Sequence, residues 1–472
     1  MKIRALKWKS HPVLGDLELR FVNESTGSAY DTIVFAGENG SGKTTIMDTL
    51  NAFLCVGPVN IFEYIEYEVE GEIYSLKYCP KDRVVYEDKY FDIYDESGKV
   101  IKGSVGPINK KIEGDILDPR HYGSVFTRAG INYKTGKITK SASSDVDKDK
   151  HDRGDKEIAN ELKQLLVDLD EQYSEDLRKW YDTPAEKSPR DFGEAHEKFG
   201  KSKICRFKGA YNNFFDHIKF VRVETSDKEK KIIFNKNGKE ISIDNLSSGE
   251  KQIVFRGAYL LKNIGGLDGG VVMIDEPEIS MHPKWQKRIL DYYRNLFREE
   301  SSRSQKAQLF VATHSEYVVS RALEDKENTA VIILREEGGE IKGGRMTDAA
   351  ACLHPTTSAE VNYIAFGIAS MDYHQQLYAA VQGLTGSEKV SVCDKYIDKY
   401  IEKHVSDKDK YRCKSEHKGT TYKTLCTFVR NQIDHPDGNN QNLNDELALS
   451  VELMREILKD AGRKKAPGGV KE

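Results

Sequence analysis

Cysteine is sparse in this chain and never closely paired. The seven thiols, at positions 55, 79, 205, 352, 393, 413 and 426, include no Cys-x-x-Cys spacing. That argues against a zinc ribbon or a disulfide framework and fits reduced thiols in a cytosolic protein. Long apolar runs are missing as well. No uninterrupted stretch approaches the roughly 20 residues that a membrane-spanning helix needs. The opening Met1-Lys2-Ile3-Arg4-Ala5 carries no apolar signal segment, so a membrane is not expected among the partners. A charge excess is also absent: 31% of residues are charged, yet the net charge is only −4. Nothing global therefore advertises nucleic acid or an anionic membrane, although a local basic patch remains compatible. What is present is length, since 472 residues allow two or three domains with a substantial core.

The most informative segment is Gly37-Glu38-Asn39-Gly40-Ser41-Gly42-Lys43-Thr44-Thr45. It follows an apolar run over 32–36 and precedes a helical pattern over 46–54, the strand–loop–helix context that a phosphate-binding loop requires. Gly37, Gly40 and Gly42 let the backbone curl so that N–H groups, with those of Asn39, Ser41 and Thr45, face phosphate oxygens. The helix N-terminus adds positive potential at the same place. Lys43 can reach the β- and γ-phosphates of ATP, and the Thr44 hydroxyl can hold Mg2+.

Three later motifs belong with it. Asn245-Leu246-Ser247-Ser248-Gly249-Glu250-Lys251-Gln252 follows an expected hairpin, with strands at 231–234 and 240–243, and opens an apolar helix. Val271-Val272-Met273-Ile274 reads as a buried parallel strand delivering Asp275 and Glu276 at its carboxyl end, where open α/β sheets place ligands. Leu309 to Ala312 is another apolar strand, leading through Thr313 to His314. The chemistry assigns roles: phosphoryl transfer to water needs charge neutralisation and a positioned nucleophile. Asp275 is expected to support the metal, Glu276 to orient or deprotonate the attacking water, and His314 to sense the γ-phosphate. Ser247, Ser248 and Gly249 open a helix suited to an anion.

The set resembles the ATP-binding cassette (ABC) class, in its SMC-like variant with Glu250 in the signature segment. That resemblance implies an α/β fold: a P-loop ATPase head with an antiparallel β subdomain and a helical lid. It also implies a head-to-tail dimer enclosing two ATP molecules, with each signature helix gripping the γ-phosphate held by the other copy. The head is expected over 1–345, with an inserted helical and loop region at about 110–215. Strands are expected at 3–8 and 17–21, an antiparallel sheet at 61–102 covering the first helix, and an amphipathic helix from Ile158 to Trp180. The charge run at 145–150 reads as a solvated loop. Sustained heptads, which would signal the long coiled coil of DNA-tethering relatives, are absent.

Residues 346–472 are expected to form a C-terminal α-helical domain, with helices at 358–368, 372–382, 391–404, 422–433 and 445–459. Gly462 reads as the glycine that closes the last helix, and 463–472 as a frayed tail. The segment Arg430-Asn431-Gln432-Ile433-Asp434-His435-Pro436 resembles the ribonuclease motif of HEPN domains. There Arg430, Asn431 and His435 would act on an RNA phosphate. The structural reading is that Arg430 pairs with an acidic neighbour and His435 caps the helix end. Ser358 to Gly367, Tyr373-His374, Leu377-Tyr378 and Glu446 to Glu452 resemble the C-terminal region of bacterial anti-phage ATPases of Septu and retron systems (PtuA type). That resemblance implies a cytoplasmic, oligomeric ATPase that binds and controls a small HNH nuclease. The alternative is an ATP-gated ribonuclease that cuts RNA or tRNA with its own C-terminal domain.

Overall fold

The computed structural model describes residues 1–79, 87–103, 112–128, 158–182, 192–200, 202–225, 229–262, 269–298, 305–347, 351–417, 419–435 and 443–465. The charge run at 145–150 lies outside these. The chain divides into two units, Met1–Arg345 and Met346–Glu472.

The first unit opens with β1 (Lys2–Trp8), β2 (Glu18–Arg20), β3 (Thr32–Gly37) and α1 (Lys43–Leu54). Then come β4 (Phe62–Val69), β5 (Glu72–Tyr78), β6 (Phe91–Asp95), β7 (Val100–Gly103) and β8 (Ser124–Thr127). The inserted region supplies α2 (Ile158–Asp182), α3 (Phe192–Phe199) and α4 (Lys203–Phe214). Next are β9 (Ile218–Thr225), β10 (Lys230–Lys236), β11 (Lys239–Ser242) and α5 (Ser248–Lys262). The unit ends with β12 (Val271–Asp275), α6 (Pro283–Phe297), β13 (Gln308–Thr313), α7 (Glu316–Leu323), β14 (Thr329–Glu337) and β15 (Glu340–Arg345).

The central sheet runs β15-β14-β3-β13-β12-β8, with only β15 antiparallel to its neighbour. β3, β12 and β13 are buried at every position, as strands covered on both faces must be. A second sheet, β2-β1-β4-β5-β6-β7, is antiparallel throughout. Its apolar face covers α1: the Phe53 ring meets Phe62 and Phe91, with centroids 6.2 and 5.9 Å apart. Ile46, Met47 and Leu50 lie in the same core. A glycine-free, apolar helix face is thus held between two sheets, which fixes the first turn of α1 beneath the loop before it.

Two strands of the first unit depart from the sequence expectation. The hairpin at 231–243 is present as β10 and β11, but β9 adds a third strand. β8 had no counterpart in the reading, because four residues are too few for periodicity to register; it pairs parallel with β12.

The second unit contains α8 (Ser358–Phe366), α9 (Met371–Leu384), α10 (Val390–His404), β16 (Arg412–His417), β17 (Thr420–Thr424), α11 (Leu425–Asp434) and α12 (Leu443–Lys465). The helix expected from 422 begins instead at Leu425. Tyr422 to Thr424 belong to β17, and the Thr424 hydroxyl caps α11 by accepting from Thr427 N. Asp394 on α10 fixes that turn, accepting from the backbone N–H of Lys423 and Thr424. The last helix runs through Gly462 to Lys465, so Gly462 is not its terminator. A lone glycine costs a helix only about 1 kcal/mol relative to alanine, which the packed face of α12 outweighs. That face supplies Leu447, Val451, Met454 and Ile457 to the core, against Leu377, Val381 and Ile397.

Candidate functional site

The parallel order of β3, β13 and β12 brings their carboxyl ends to one edge of the sheet, and the functional side chains follow from that. At the end of β3, Gly37, Gly40 and Gly42 have φ values of 150, 82 and 87°. These lie in the region that residues with a Cβ rarely adopt. A Cβ on Gly37 would also fall 2.2 Å from the Leu334 carbonyl oxygen of β14. Gly42 caps α1 without a side chain, leaving the N–H groups of its first turn for a ligand. Glu38, Asn39 and Gly40 are exposed, whereas Ser41, Gly42 and Lys43 are buried; Thr45 is half-buried.

Lys43 folds back over the loop. Its Nζ donates to the Gly37 and Glu38 carbonyls at 2.9 and 2.8 Å and to Ser41 Oγ at 3.3 Å. Burial lowers its pKa to about 8, against the opposing pull of Asp275, Glu276 and Glu278. Thr44 Oγ1 donates to Asp275 Oδ2 at 3.1 Å, joining the loop to β12. Burial raises the Asp275 pKa, and the Thr44 hydrogen bond opposes that shift. A hydroxyl and a carboxylate meeting at the foot of a phosphate cradle form a donor set that a hard divalent cation such as Mg2+ fits.

Glu276 stands just past β12, half-exposed, with its backbone in the left-handed region at φ 45°. Its Oε1 lies 3.5 Å from His314 Nε2, beyond the end of β13. Burial and the Lys43 charge depress the His314 pKa, favouring a neutral imidazole at pH 7. The pair offers a carboxylate able to accept a proton from water and a ring able to donate to an anion.

Two participants went unread in the sequence. Glu278 accepts from Thr313 Oγ1 and from the His314 N–H, both at 2.7 Å, so a third carboxylate anchors the histidine turn. Burial raises its pKa. The repeated acid in Asp275-Glu276-Pro277-Glu278 was the available signal. Arg256, fully buried on α5, donates to the carbonyls of Asp275 and Glu276 at 3.1 and 3.0 Å. A single charge inside Ile253-Val254-Phe255-Arg256 was its signal.

Ser247 and Glu250 form a reciprocal cap at the start of α5. Ser247 N donates to Glu250 Oε2 at 2.8 Å and Glu250 N to Ser247 Oγ at 3.4 Å. Lys236 of β10 completes the arrangement by pairing with buried Glu250 at 2.9 Å. Ser247 and Ser248 are exposed and Gly249 is buried.

In the second unit, the Arg430 guanidinium pairs with Asp434 at 2.7 Å and donates to Asn431 Oδ1 at 3.0 Å. His435 is exposed and follows the last turn of α11 as its C-cap, donating its N–H to the Asn431 carbonyl at 2.8 Å. Among the described residues, no group of three or more His, Cys, Asp or Glu side chains is arranged to hold a metal ion. No described helix is long and apolar enough to cross a membrane.

A family described as "AAA domain, putative AbiEii toxin, Type IV TA system" matches residues 33–320, more than half of the chain, from within β3 to within α7. The chain belongs to this AAA-domain family. Within curated proteins, it is 35% identical over 94 residues to the Retron Vc95 probable ATPase of Vibrio cholerae serotype O1 biovar El Tor, covering 18% of this chain and 17% of that protein. It is 32% identical over 116 residues to the Septu protein PtuA of Bacillus thuringiensis, covering 22% and 27%. The Retron Ec83 probable ATPase of Escherichia coli matches at 34% over 96 residues, covering 18% and 16%. The matched segments thus span well under a third of these relatives. Among solved structures, the SMC head bound to the C-winged helix domain of ScpA aligns at a TM-score of 0.41 and 14% identity, over 74% of this chain and 98% of that one. The SMC head domain from Thermotoga maritima aligns at 0.36 and 15%, over 74% and 100%.

Proposed function

We propose that this AAA-domain chain binds and hydrolyses ATP with Mg2+ and serves as the sensor and scaffold of a cytoplasmic anti-phage defence complex that controls a partner nuclease of the HNH type. The observation that carries the catalytic half is the convergence at one sheet edge of Lys43, the Thr44–Asp275 contact at 3.1 Å and the Glu276–His314 approach at 3.5 Å. In this reading the N–H groups of the loop cradle the phosphates, and Lys43 exchanges its carbonyl partners for phosphate oxygens. Thr44 and Asp275 would hold the cation, which would supply charge neutralisation on the phosphates. Glu276 accepts a proton from the attacking water, and neutral His314 donates to the γ-phosphate. The defence half rests on the Septu and retron relatives, a Septu protein and two probable retron ATPases.

The competing reading makes the chain its own effector through Arg430, Asn431 and His435. The exposure of His435 and the partial exposure of Arg430 keep it open, while the Asp434 ion pair favours a structural role. One set of incubations separates them. The purified chain, with and without a purified HNH nuclease, is given plasmid DNA or total tRNA at several ATP concentrations. The expected result is ATP turnover that Lys43→Ala abolishes, DNA cleavage only with the nuclease present, and suppression of cleavage by ATP. tRNA cleavage by the chain alone, lost in an Arg430→Ala/His435→Ala variant, would replace the scaffold reading with the ribonuclease.

A further inference from the structure

Arg256 carries α5 to the end of the catalytic strand. Arg256 is fully buried two turns beyond the start of that helix, and its fork spans the ends of two adjacent strands. Nη1 donates to the carbonyls of Asp275 and Glu276 at 3.1 and 3.0 Å, and Nη2 donates to the carbonyl of Arg128, just past β8, at 3.2 Å. The Glu276 peptide is therefore gripped from both sides, because its N–H donates to the Ala312 carbonyl of β13 at 2.9 Å. That double hold falls on a residue whose φ of 45° is unfavourable for a side chain larger than hydrogen. A sparsely populated conformation persists only where its surroundings impose it, and here β13 and Arg256 do so. The helix start is seated on the same loop. A Cβ on Gly249 would lie 2.8 Å from the Ser280 carbonyl, and Ser280 is itself left-handed at φ 60°.

We propose that Arg256 is a positioning residue for ATP hydrolysis, holding Glu276 in its left-handed conformation so that the helix opening at Ser248 and the water-activating carboxylate move as one body. This rests on the ATPase reading given above. A purely structural arginine would only satisfy strand-end carbonyls, and its loss would lower stability without separating turnover from binding. A positioning arginine has a different signature. Lysine keeps the charge but offers a single nitrogen, which cannot span β8 and β12 as a planar fork does. Glu276 would then relax toward ordinary backbone angles and withdraw its carboxylate from the attack position, while Lys43, Thr44 and the loop amides still hold nucleotide.

The test measures steady-state ATP turnover and, separately, the affinity for a fluorescent ATP analogue, on the full-length wild type, Arg256→Lys and Lys43→Ala. Expected is a kcat for Arg256→Lys about 10- to 100-fold below wild type, the loss that a misplacement of about 1 Å produces, with analogue affinity within about twofold. Arg256→Ala supplies the second variant: added methylguanidinium, which restores the fork without the tether, is expected to raise its turnover. Wild-type turnover left intact in Arg256→Lys overturns the proposal and spares the ATPase reading. So does parallel loss of affinity and turnover in Arg256→Lys, or Arg256→Ala turnover that methylguanidinium does not raise. A wild type with no turnover that Lys43→Ala removes sinks the ATPase reading itself.

Discussion

Lys43 occupies an unusual position for a cation: it is 5% exposed and hydrogen-bonded to neutral oxygens, with carboxylates near but not in contact. Burial dominates over those carboxylates and brings its pKa down to about 8. The sign of the consequence is fixed by linkage. In the free protein Lys43 loses its proton as pH rises through 8, whereas bound polyphosphate favours the charged form and raises its pKa. Binding above pH 8 must therefore take up a proton, and affinity declines with pH. Between pH 7 and pH 9, in saturating magnesium, the dissociation constant for ATP is expected to rise about tenfold. Calorimetry at several pH values, in buffers of different ionisation heat, measures both the slope and the proton uptake. Lys43→Ala should bind weakly and without the slope; a slope that survives this substitution would assign the proton to another group. His314 does not mimic the effect, because its depressed pKa places its titration below this range.

At the level of elements, what the sequence revealed depended on how much chain each signal occupied. The turn of Gly37 to Lys43, the buried runs of β12 and β13 and the paired carboxylates are contiguous, so their chemistry can be read in order. Arg256 and Glu278 act on groups far away in sequence: the packing of α5 across the ends of β8 and β12 gives the arginine its carbonyls, and the pairing of β12 with β13 brings Thr313 and His314 to Glu278. The strand–helix boundary at Thr424 was likewise invisible, because the Asp394 side chain that fixes it comes from α10. The same dependence on distant neighbours governs α5 itself. Gly257 is one residue beyond the arginine, and a Cβ there would lie 2.0 Å from Tyr292 Oη. Tyr292 is buried and donates to the Ile253 carbonyl at 2.9 Å, so it cannot swing out to solvent. Gly257→Ala would gain about 1 kcal/mol of helix propensity, but overpacking costs about 1–3 kcal/mol and stranding the tyrosine hydroxyl adds to that. Net destabilisation of about 1–2 kcal/mol is expected from urea unfolding. A variant more stable than wild type would show that α5 and α6 are not closely packed at this point.

On the scale of the whole molecule, the exposed Ser247 and Ser248 pose the remaining question. The Ser247–Glu250 cap leaves the Ser248 and Gly249 N–H groups at a helix N-terminus, an anion-attracting end that faces outward. If Lys43 and Thr44 hold ATP as proposed, its γ-phosphate would lie toward Glu276 and His314, where a second copy could cover it with this helix end. Resemblance to the ABC class implies a head-to-tail arrangement, and if that arrangement forms, the chemistry predicts when it would last. Hydrolysis should open the dimer, since the phosphate that bridges the copies is cleaved away. Glu276→Gln removes the proton acceptor but keeps the side chain's shape, and it also removes one negative charge beside each trapped triphosphate. Light scattering on this variant with ATP and magnesium is therefore expected to report at least twice the mass seen without nucleotide. The wild type should show the increase only transiently. Adding Ser248→Arg, which places a bulky side chain at the start of the gripping helix, should return the mass to the nucleotide-free value; ATP should still bind at Lys43, but without the affinity that a second copy adds, because nucleotide binding and assembly are reciprocally linked. A mass insensitive to ATP in the Glu276→Gln variant would mean that the outward-facing helix does not meet the triphosphate of another copy, and the sandwich would have to be abandoned.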